Sequence, residues 1–236
     1  MPTVLIIGAG LNTGKAAAET FSAAGYQVAV ASRTQKLDSK YRYYAFDASK
    51  PETVPTLFEK VTTDLGAPSV VIYITAAGHV SPPENPFDTE LDGFQKGLNI
   101  NTISPYYAAR EAVKSFEKLG PSGLGPSGGS FLFVGNGLNT TAIPGFMTFA
   151  VQKGATAHMI QNLALVEYDG KPYKFYYLDE RHADGSYVTT DLSGAGHAAE
   201  FIKLAKDSKQ GPWDYTFVSG KGYEKFPYVE VMAWNP

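Results

Sequence analysis

The N-terminal stretch constrains the fold of this chain more than any other segment. An apolar run from Val4 to Ile7 leads into Gly8, Gly10 and Gly14, and an alanine-rich segment, Lys15–Ala24, follows. A continuous apolar run of this kind is typical of a parallel strand that is buried on both faces. Glycine lets the backbone turn tightly, and the start of the next helix offers unpaired N–H groups to an anion. The stretch therefore predicts a strand, a turn and a helix that together could bind a nucleotide pyrophosphate.

The glycine spacing leaves a purely structural strand-to-helix turn as the alternative. In the dinucleotide pattern Gly-x-Gly-x-x-Gly the third glycine would fall on Thr13, whereas Gly14 comes one residue later. A phosphate-binding loop of the P-loop type is disfavoured, because Gly14 and Lys15 are followed by Ala16 rather than by serine or threonine. The position of the turn at the start of an alternating pattern favours a dinucleotide.

Strands and helices alternate after this turn. The predicted strands are Gln27–Ala31, Tyr41–Phe46, Ser69–Thr75, Ser130–Val134, Lys174–Leu178 and Tyr215–Val218. The predicted helices are Pro51–Leu65, Asp88–Leu98, Thr102–Lys118, Gly145–Tyr168 and Ser193–Ser208, with a flexible loop at Gly120–Gly129. This alternation predicts an α/β, three-layer Rossmann fold, a doubly wound parallel sheet of about seven strands with helices on both faces. Chains of 236 residues commonly form one such unit, so we expect a single domain over residues 1–236.

Charge and composition argue against several classes of function. The net charge of −3 gives no electrostatic reason to expect nucleic acid or an acidic membrane surface as a partner. The sequence has no cysteine and its four histidines show no paired metal spacing, so we expect no metal site. The chain enters a strand almost at once, and no apolar run reaches the roughly 18 residues of a membrane helix. We therefore expect a cytoplasmic protein that binds a small-molecule substrate.

The residues after the second predicted strand indicate which dinucleotide would bind. In dinucleotide folds an acidic residue at this junction binds the ribose of NAD, whereas an arginine can accept the 2′-phosphate of NADP. Ser32 and Arg33 occupy the junction, and no acid appears before Asp38. The junction therefore favours NADP(H), with a solvated loop charge as the alternative role for Arg33. Asp47 ends the third predicted strand, where it could lie beside an adenine ring, cap its own turn, or do both.

These segments, in this order and at these intervals, resemble the short-chain dehydrogenase/reductase family over nearly the whole chain. The opening motif of the family, Thr-Gly-x-x-x-Gly-x-Gly, falls on Ile7, Gly8, Asn12 and Gly14, so that Asn12 replaces the middle glycine. The resemblance implies that this turn, with Gly10 inside it, binds the cofactor.

Further positions also follow the family pattern. The resemblance implies that Asp47 contacts adenine and that Asn101 is the helix asparagine that supports a proton relay. Ala77 and Gly78 match the end of the Asn-Asn-Ala-Gly segment of the family, and such small residues would let a cofactor approach.

The stretch from Gly128 to Ala155 departs from the family at the residues that carry its chemistry. Members have a serine and then the tyrosine of a Tyr-x-x-x-Lys motif; here Asn136 and Phe149 take those positions and Lys153 is kept. The resemblance implies a mechanism in which tyrosine protonates a carbonyl oxygen, NADPH gives a hydride to carbon, and lysine lowers the tyrosine pKa and binds the nicotinamide ribose. A phenyl ring can neither donate nor accept a proton. Asn136 keeps an N–H donor that could hold a carbonyl group, and Lys153 can still bind ribose hydroxyls.

A replacement proton donor could come from the residues that follow the sixth predicted strand. Asp179, Glu180, Arg181 and His182 come directly after it, at the catalytic edge of the predicted sheet. Such a row of charges is more often a solvated loop with local ion pairs, and that is the arrangement we expect. The alternative is that one acid of the row replaces the missing tyrosine.

Two functions are compatible with these residues. The first is an NADPH-dependent reductase of a small carbonyl or imine, in which Lys153 or a nearby acid supplies the proton; an iminium substrate already carries the charge and needs no tyrosine. The second is an NADP(H)-binding protein without redox activity, either a sensor or binding module or a non-redox cyclase or isomerase. The resemblance also implies that the helices at Thr102–Lys118 and Gly145–Tyr168 could form the face of a homo-oligomer.

Overall fold

A single sheet forms the centre of the part of the chain that the computed structural model describes, residues 1–82 and 84–232. Its strands are β1 (Thr3–Ile7), β2 (Gln27–Ser32), β3 (Arg42–Ala45), β4 (Pro68–Tyr73), β5 (Gly129–Val134), β6 (Tyr173–Arg181), β7 (Asp214–Val218) and β8 (Gly222–Tyr223). They lie in the order β3-β2-β1-β4-β5-β6-β7-β8, and every neighbouring pair is parallel except β7 with β8. The predicted Rossmann-type fold is confirmed, with a short antiparallel eighth strand in addition.

Helices cover both faces of the sheet. They are α1 (Thr13–Ala23), α2 (Val54–Leu65), α3 (Leu91–Leu98), α4 (Ser104–Leu124), α5 (Met147–Asn162) and α6 (Gly194–Lys206). Successive strand residues point to opposite faces, so Leu5 and Ile7 of β1 pack with α2, α4 and α5, whereas Val4 and Ile6 pack with α1 and α6. Within the described residues, no helix is long and apolar enough to cross a membrane.

The helical segments after β4 are more continuous than the sequence predicts. Asn99–Ile103, which covers the predicted break, is a π-helical turn that joins α3 to α4. The predicted loop at Gly120–Gly129 is wrong over its first half, because α4 kinks at Gly120 and adds a further turn that ends at Leu124. Pro121 opens that turn, a position that proline favours because its missing N–H is not needed there.

Strand β6 is also longer than predicted, and it anchors α6 through a buried lysine. Lys174 is 2% exposed, and its Nζ donates hydrogen bonds to the carbonyl oxygens of Leu204 at 2.8 Å and Ala205 at 3.3 Å. It also donates to the carbonyl of Asp207, beyond the last turn of the helix. Burial lowers the pKa of Lys174 to about 8, partly offset by the charge of Asp207. A cation at this end complements the partial negative charge of the last carbonyl groups of α6.

We expect Lys174→Met to lower the free energy of unfolding by about 2 kcal/mol, because buried carbonyl groups would lose their donor. Lys171→Met is the matched control, since the side chain of Lys171 is exposed, and it should change the stability by less than about 0.5 kcal/mol. Urea unfolding followed by circular dichroism measures both variants. Equal effects of the two substitutions would show that Lys174 does not stabilise α6.

Candidate functional site

Two neighbouring openings lie at the carboxyl edge of the sheet, and most of the predicted site residues line one or the other. The outer cleft, of about 630 Å³, is lined by Gly8, Gly10, Ser32, Arg33, Asp47 and Ala77, among others. The inner cavity, of about 300 Å³, is lined by Asn136, Phe149 and Lys153, among others. Ala76 lines both openings, so they adjoin there. Asn12, Gly14, Gly78 and Asn101 line neither opening.

The three glycines of the turn after β1 differ in whether the fold leaves room for a side chain at their positions. Gly8 has a φ of +97°, and a Cβ atom on it would lie 2.5 Å from Oγ1 of Thr75. A Cβ atom on Gly14 would lie 2.6 Å from Cα of Ala9, so packing alone excludes a side chain at both positions. Gly10 differs, because a Cβ atom on it would meet nothing closer than the carbonyl oxygen of Gly8 at 3.9 Å. The fold does not require a glycine at position 10, and its bare backbone leaves room for a ligand in the outer cleft.

Asn12 links the glycine turn to a distant part of the chain. It is the residue before α1, and its Nδ2 group donates a hydrogen bond to the carbonyl of Leu192 at 2.8 Å. Leu192 belongs to the segment between β6 and α6 and lines the inner cavity. The asparagine that replaces the middle glycine of the family motif therefore ties the turn to the wall of the inner cavity.

The outer cleft has several basic side chains in its wall. Arg33, Lys36 and Lys96 line it, and Arg33 forms no ion pair with any other described residue. Asp47 accepts hydrogen bonds from the backbone N–H of Ser49 at 3.0 Å and from its hydroxyl at 2.9 Å, which lower the pKa of Asp47. The charges of Lys50 and Arg33 also lower the pKa of Asp47. With three basic side chains and one carboxylate among these lining residues, an anion such as a phosphate group would still find a net positive charge in this cleft.

Asn136 lies two residues after the end of β5, and the hydroxyl of Tyr177 holds its backbone. The hydroxyl of Tyr177 accepts a hydrogen bond from the Asn136 N–H at 3.1 Å and donates one to the Asn136 carbonyl at 2.8 Å. Oδ1 of Asn136 accepts from the N–H of Leu138 at 3.2 Å. The Nδ2 group makes no hydrogen bond to any described residue, so it can donate to a ligand in the inner cavity.

Phe149 and Lys153 lie one helical turn apart on α5. Lys153 is 1% exposed, and its Nζ donates to the carbonyl of Val134 at 3.2 Å. The same atom lies 4.5 Å from the ring centre of Phe133 and 5.4 Å from that of Phe149. Burial lowers the pKa of Lys153 to about 7, and the negative charge of Asp179 opposes that shift. An amine that changes its charge near neutral pH thus lines the inner cavity.

The row of charges after the predicted sixth strand is not the solvated loop that the sequence indicates. Asp179, Glu180 and Arg181 are the last residues of β6 and are 2%, 5% and 8% exposed, whereas His182 is exposed. Pairing with β7 extends the strand through these three residues, and Asp179 lies opposite Thr216 in the sheet. The strand positions a charged group on each face of the sheet, and both Asp179 and Glu180 line the inner cavity.

Asp179 forms a buried ion pair on the face toward α5. Nε and Nη2 of Arg181 both contact Oδ2 of Asp179 at 2.6 Å, and the guanidinium group lies 3.8 Å from the ring centre of Tyr187. Burial raises the pKa of Asp179 to about 6; Arg181 and His197 act against that rise, and Asp214 adds to it. The ion pair and the stacked ring hold the carboxyl group in one orientation.

Glu180 points to the opposite face and holds the start of α6. Its Oε2 accepts a hydrogen bond from the backbone N–H of Ser193 at 2.8 Å and lies 3.3 Å from Nδ1 of His197. His197 lies in α6, within the predicted helix Ser193–Ser208, and it is 1% exposed and paired with this acid. The signal that the sequence analysis missed is the alternation of β6. Continued three residues past Leu178, it puts Asp179 and Arg181 on one face of the sheet and Glu180 on the other face, which α6 covers.

Asn101 lies inside the π-helical turn and is fully buried. Its Nδ2 lies within hydrogen-bond distance of the carbonyl oxygens of Ala77 and Gly97, at 2.5 Å and 3.1 Å, and of Oε1 of Gln152, at 2.8 Å. Its Oδ1 accepts from the N–H of Ala77 at 3.2 Å. The amide therefore fastens the loop after β4 to α3 and α5. No cluster of metal-binding side chains occurs within residues 1–82 and 84–232.

Comparisons with known proteins give both sequence and structural relatives. A family model described as enoyl-(acyl carrier protein) reductase matches residues 8–169. The short chain dehydrogenase/reductase dmxR12 of Cryptosporiopsis sp. (strain 8999) is 40% identical over 239 residues, which cover 96% of this chain and 95% of that protein.

Two solved structures share the fold. An alcohol dehydrogenase from the archaeon Thermococcus sibiricus complexed with 5-hydroxy-NADP has a TM-score of 0.72 and 17% identity, covering 97% of this chain and 100% of that one. A 4-hydroxyisoleucine dehydrogenase complexed with NADH has a TM-score of 0.74 and 14% identity, covering 93% of this chain and 98% of that one.

The buried carboxyl group of Asp179 makes stability depend on pH. Its pKa is raised from 3.8 to about 6, so its contribution to stability is full below the unfolded value and is lost as pH rises through the folded value. We therefore expect the free energy of unfolding of the wild type, relative to that of Asp179→Asn, to fall between about pH 5 and about pH 8. Urea unfolding at the two pH values measures it. A difference that stays constant over this pH range would show that Arg181 keeps the carboxyl group ionised throughout.

Proposed function

The chain belongs to the short-chain dehydrogenase/reductase family, and we propose that it is an NADP(H)-dependent reductase of a small carbonyl or imine substrate with a proton donor other than tyrosine. The observation that carries the proposal is the junction of the two openings at Ala76. At Ala76 the outer cleft, which has basic side chains and the exposed backbone of Gly10 in its wall, adjoins the small and largely apolar inner cavity, which contains the buried Lys153. When bound, the cofactor would supply the hydride.

The residues of the outer cleft fit a dinucleotide. The backbone at Gly10 has open space above it and would approach the pyrophosphate, and Asp47 would lie beside the adenosine. Ser32 and Arg33 would bind a 2′-phosphate, because Arg33 is exposed and forms no direct ion pair with any described residue. Lys153 would bind the nicotinamide ribose.

The preference for NADP(H) rests on this junction and not on the fold. The structural relatives are described as complexes with 5-hydroxy-NADP in one case and with NADH in the other. The acid nearest to the end of β2, Asp38, is exposed and accepts a hydrogen bond from the N–H of Lys40 within its own turn at 2.8 Å. Asp38 is therefore engaged within its own turn rather than with the ribose 2′-hydroxyl that NAD would present there.

The inner cavity favours a small substrate with an apolar body and one polar reacting group. Most of its wall is apolar, including Val134, Leu138, Ile143 and Leu192. Its polar side chains include the amide of Asn136, the amine of Lys153 and the carboxyl group of Asp179. Its volume, about 300 Å³, lies at the lower end of the range for ligand pockets. Asn136 would donate a hydrogen bond to the carbonyl oxygen.

One observation favours the alternative, an NADP(H)-binding protein without redox activity. The ring of Phe149 occupies the position of the catalytic tyrosine of the family and packs on Gly78, where a Cβ atom would lie 2.7 Å from its Cδ1. The ring lies 5.4 Å from Nζ of Lys153 and has no proton to donate to a substrate there, which favours a binding protein. A homo-oligomer stays a prediction; Tyr106 of α4 and Val151 of α5, 53% and 52% exposed, are apolar residues that such an interface would bury.

Cofactor binding is the first test. We expect NADPH to bind at least about 10-fold more tightly than NADH in a fluorescence titration. Arg33→Ser should weaken NADPH binding by about 10- to 100-fold and leave NADH binding unchanged, because only the 2′-phosphate interacts with that guanidinium group. Arg42→Ser is the matched control, since Arg42 is exposed, lines neither opening and pairs with Asp64. A protein that binds neither NADPH nor NADH would contradict the proposed function.

Restoring tyrosine at position 149 separates the two candidate functions. We expect Phe149→Tyr to raise kcat for ketone reduction by about 10-fold or more, because the added hydroxyl can protonate the substrate beside Lys153. Phe146→Tyr adds a hydroxyl elsewhere in the inner cavity and should produce no such gain. NADPH oxidation at 340 nm with a panel of small ketones measures the rates. A protein that binds NADPH but reduces nothing in either form would favour the binding function.

A further inference from the structure

We propose that Asp179 is the proton donor of this active site and that its carboxyl group takes the role of the absent tyrosine hydroxyl. The inference rests on the proposed function and names the group that completes it. Asp179 lines the inner cavity together with Lys153 and Asn136, the two residues expected to bind the cofactor ribose and the substrate carbonyl.

The two oxygens of this carboxyl group have different surroundings. Oδ2 is occupied by Arg181, whose Nε and Nη2 both lie 2.6 Å away. Oδ1 makes no hydrogen bond to any residue in the part of the chain that the structure describes. The proton can therefore be held on Oδ1 while Oδ2 remains bonded to the guanidinium group. Arg181 is itself fixed, because its Nη1 donates to the carbonyl of Gly185 at 3.2 Å and its guanidinium group stacks on Tyr187.

Burial and the ion pair act on different stages of the reaction. The side chain is 2% exposed, so water does not stabilise its charge, and burial raises its pKa to about 6. A fraction of the protein therefore carries the proton near neutral pH. Once the proton is donated, Arg181 stabilises the carboxylate that remains. The other charged groups that act on Asp179 come from three elements: Lys153 of α5, Asp214 of β7 and His197 of α6.

Other groups near the inner cavity are engaged or too exposed. Oε2 of Glu180 holds the N–H of Ser193 and the imidazole of His197, on the opposite face of the sheet. His182 is exposed and lies 3.8 Å from a carboxylate oxygen of Asp191. Lys153 is assigned to the nicotinamide ribose. Asp179 is therefore the acid that combines burial, a free oxygen and a place in the cavity wall.

The step balances with the cofactor as the reductant. The carbonyl carbon gains a hydride, with its two electrons, from the reduced cofactor, and the π electron pair of the C=O bond moves to oxygen. That oxygen takes the proton from Oδ1 of Asp179. The products are an alcohol, the oxidised cofactor and the Asp179 carboxylate, which regains a proton from water. An iminium ion needs no such proton, because hydride addition to its carbon already gives a neutral amine.

This difference between substrates provides the test. Wild type and Asp179→Asn are assayed with NADPH against a small cyclic ketone and a cyclic iminium ion of the same ring size, and NADPH affinity is measured by fluorescence. We expect Asp179→Asn to lower kcat for the ketone about 100-fold or more and to change iminium reduction and NADPH affinity by less than about 3-fold. A folding defect would reduce all three.

Asp184→Asn is the matched control. Asp184 is exposed, accepts hydrogen bonds from the backbone N–H of Ser186 at 2.9 Å and from its hydroxyl at 2.6 Å, and lines neither opening. Its substitution should leave ketone reduction within about 3-fold of the wild type. The pair Asp179→Glu and Asp179→Gln repeats the comparison if the asparagine variant does not fold, and the glutamate variant should be the faster one with the ketone.

Three results overturn the proposal: unchanged ketone reduction in Asp179→Asn, equal losses for ketone and iminium with NADPH affinity retained, or a wild type that reduces the iminium alone. In the last case the proposed function stands and only the assignment of the proton donor fails. A wild type that binds neither NADPH nor NADH instead contradicts the proposed function, and the inference falls with it.

Discussion

A parallel sheet whose two faces are both covered by helices leaves few places where polar side chains can act. Polar groups in its middle lose water without gaining partners, so they concentrate at the edge where the strands end. Beyond β1 the chain continues into α1 on one face, and beyond β4 it continues toward α4 on the other. The crevice between these two crossovers is where ligands bind in open sheets of this kind. The outer cleft and the inner cavity both lie there, so each candidate residue depends on this strand order.

The carboxyl end of β6 carries buried charges in a largely apolar sheet, as Lys174 does at the other end of the strand, and it shows what a buried charge requires. An isolated carboxylate buried to the extent of Asp179 would be strongly destabilising, and Arg181 compensates it with two contacts to one oxygen. Replacing such a pair by apolar residues is often neutral or stabilising, so the pair is weak evidence for stability. Buried titratable groups in a cavity wall are, however, what acid–base chemistry needs. A role in a functional site therefore explains these buried charges better than a contribution to the stability of the core.

Local pattern was enough to predict the fold and the outer cleft. The apolar runs of β1, β2 and β4, and the glycines between β1 and α1, can be recognised without knowing their neighbours. Arg33 could likewise be located because it directly follows β2. Gly8 and Gly14 differ from Gly10 only through contacts with Thr75 and Ala9, which no spacing indicates.

The inner cavity was less predictable because tertiary pairing overrides local preference there. The charges of Asp179 to Arg181 suggest a loop when considered alone, yet pairing with β7 extends the strand through them. Similarly, Asn101 lies between two predicted helices. In the fold it belongs to the π-helical turn that joins them, and its amide connects the loop after β4 to Gln152. The carbonyl of Leu192 that Asn12 holds is 180 residues away in sequence, beyond any local pattern.

The packing of α1 against α6 has a consequence for the order in which the chain can assemble. Phe21, Ala17 and Ala18 of α1 share one apolar cluster with Phe201 and Leu204 of α6, at the other end of the chain. During synthesis, the first strand–turn–helix unit emerges long before the helix that covers it. The apolar face of α1 therefore stays exposed, or is covered only transiently, until residues beyond 200 leave the ribosome. Long-range contacts of this kind also slow refolding. The glycine turn is thus synthesised long before the helix that completes its packing, and a chain that stops short of α6 would leave the apolar face of α1 without that cover.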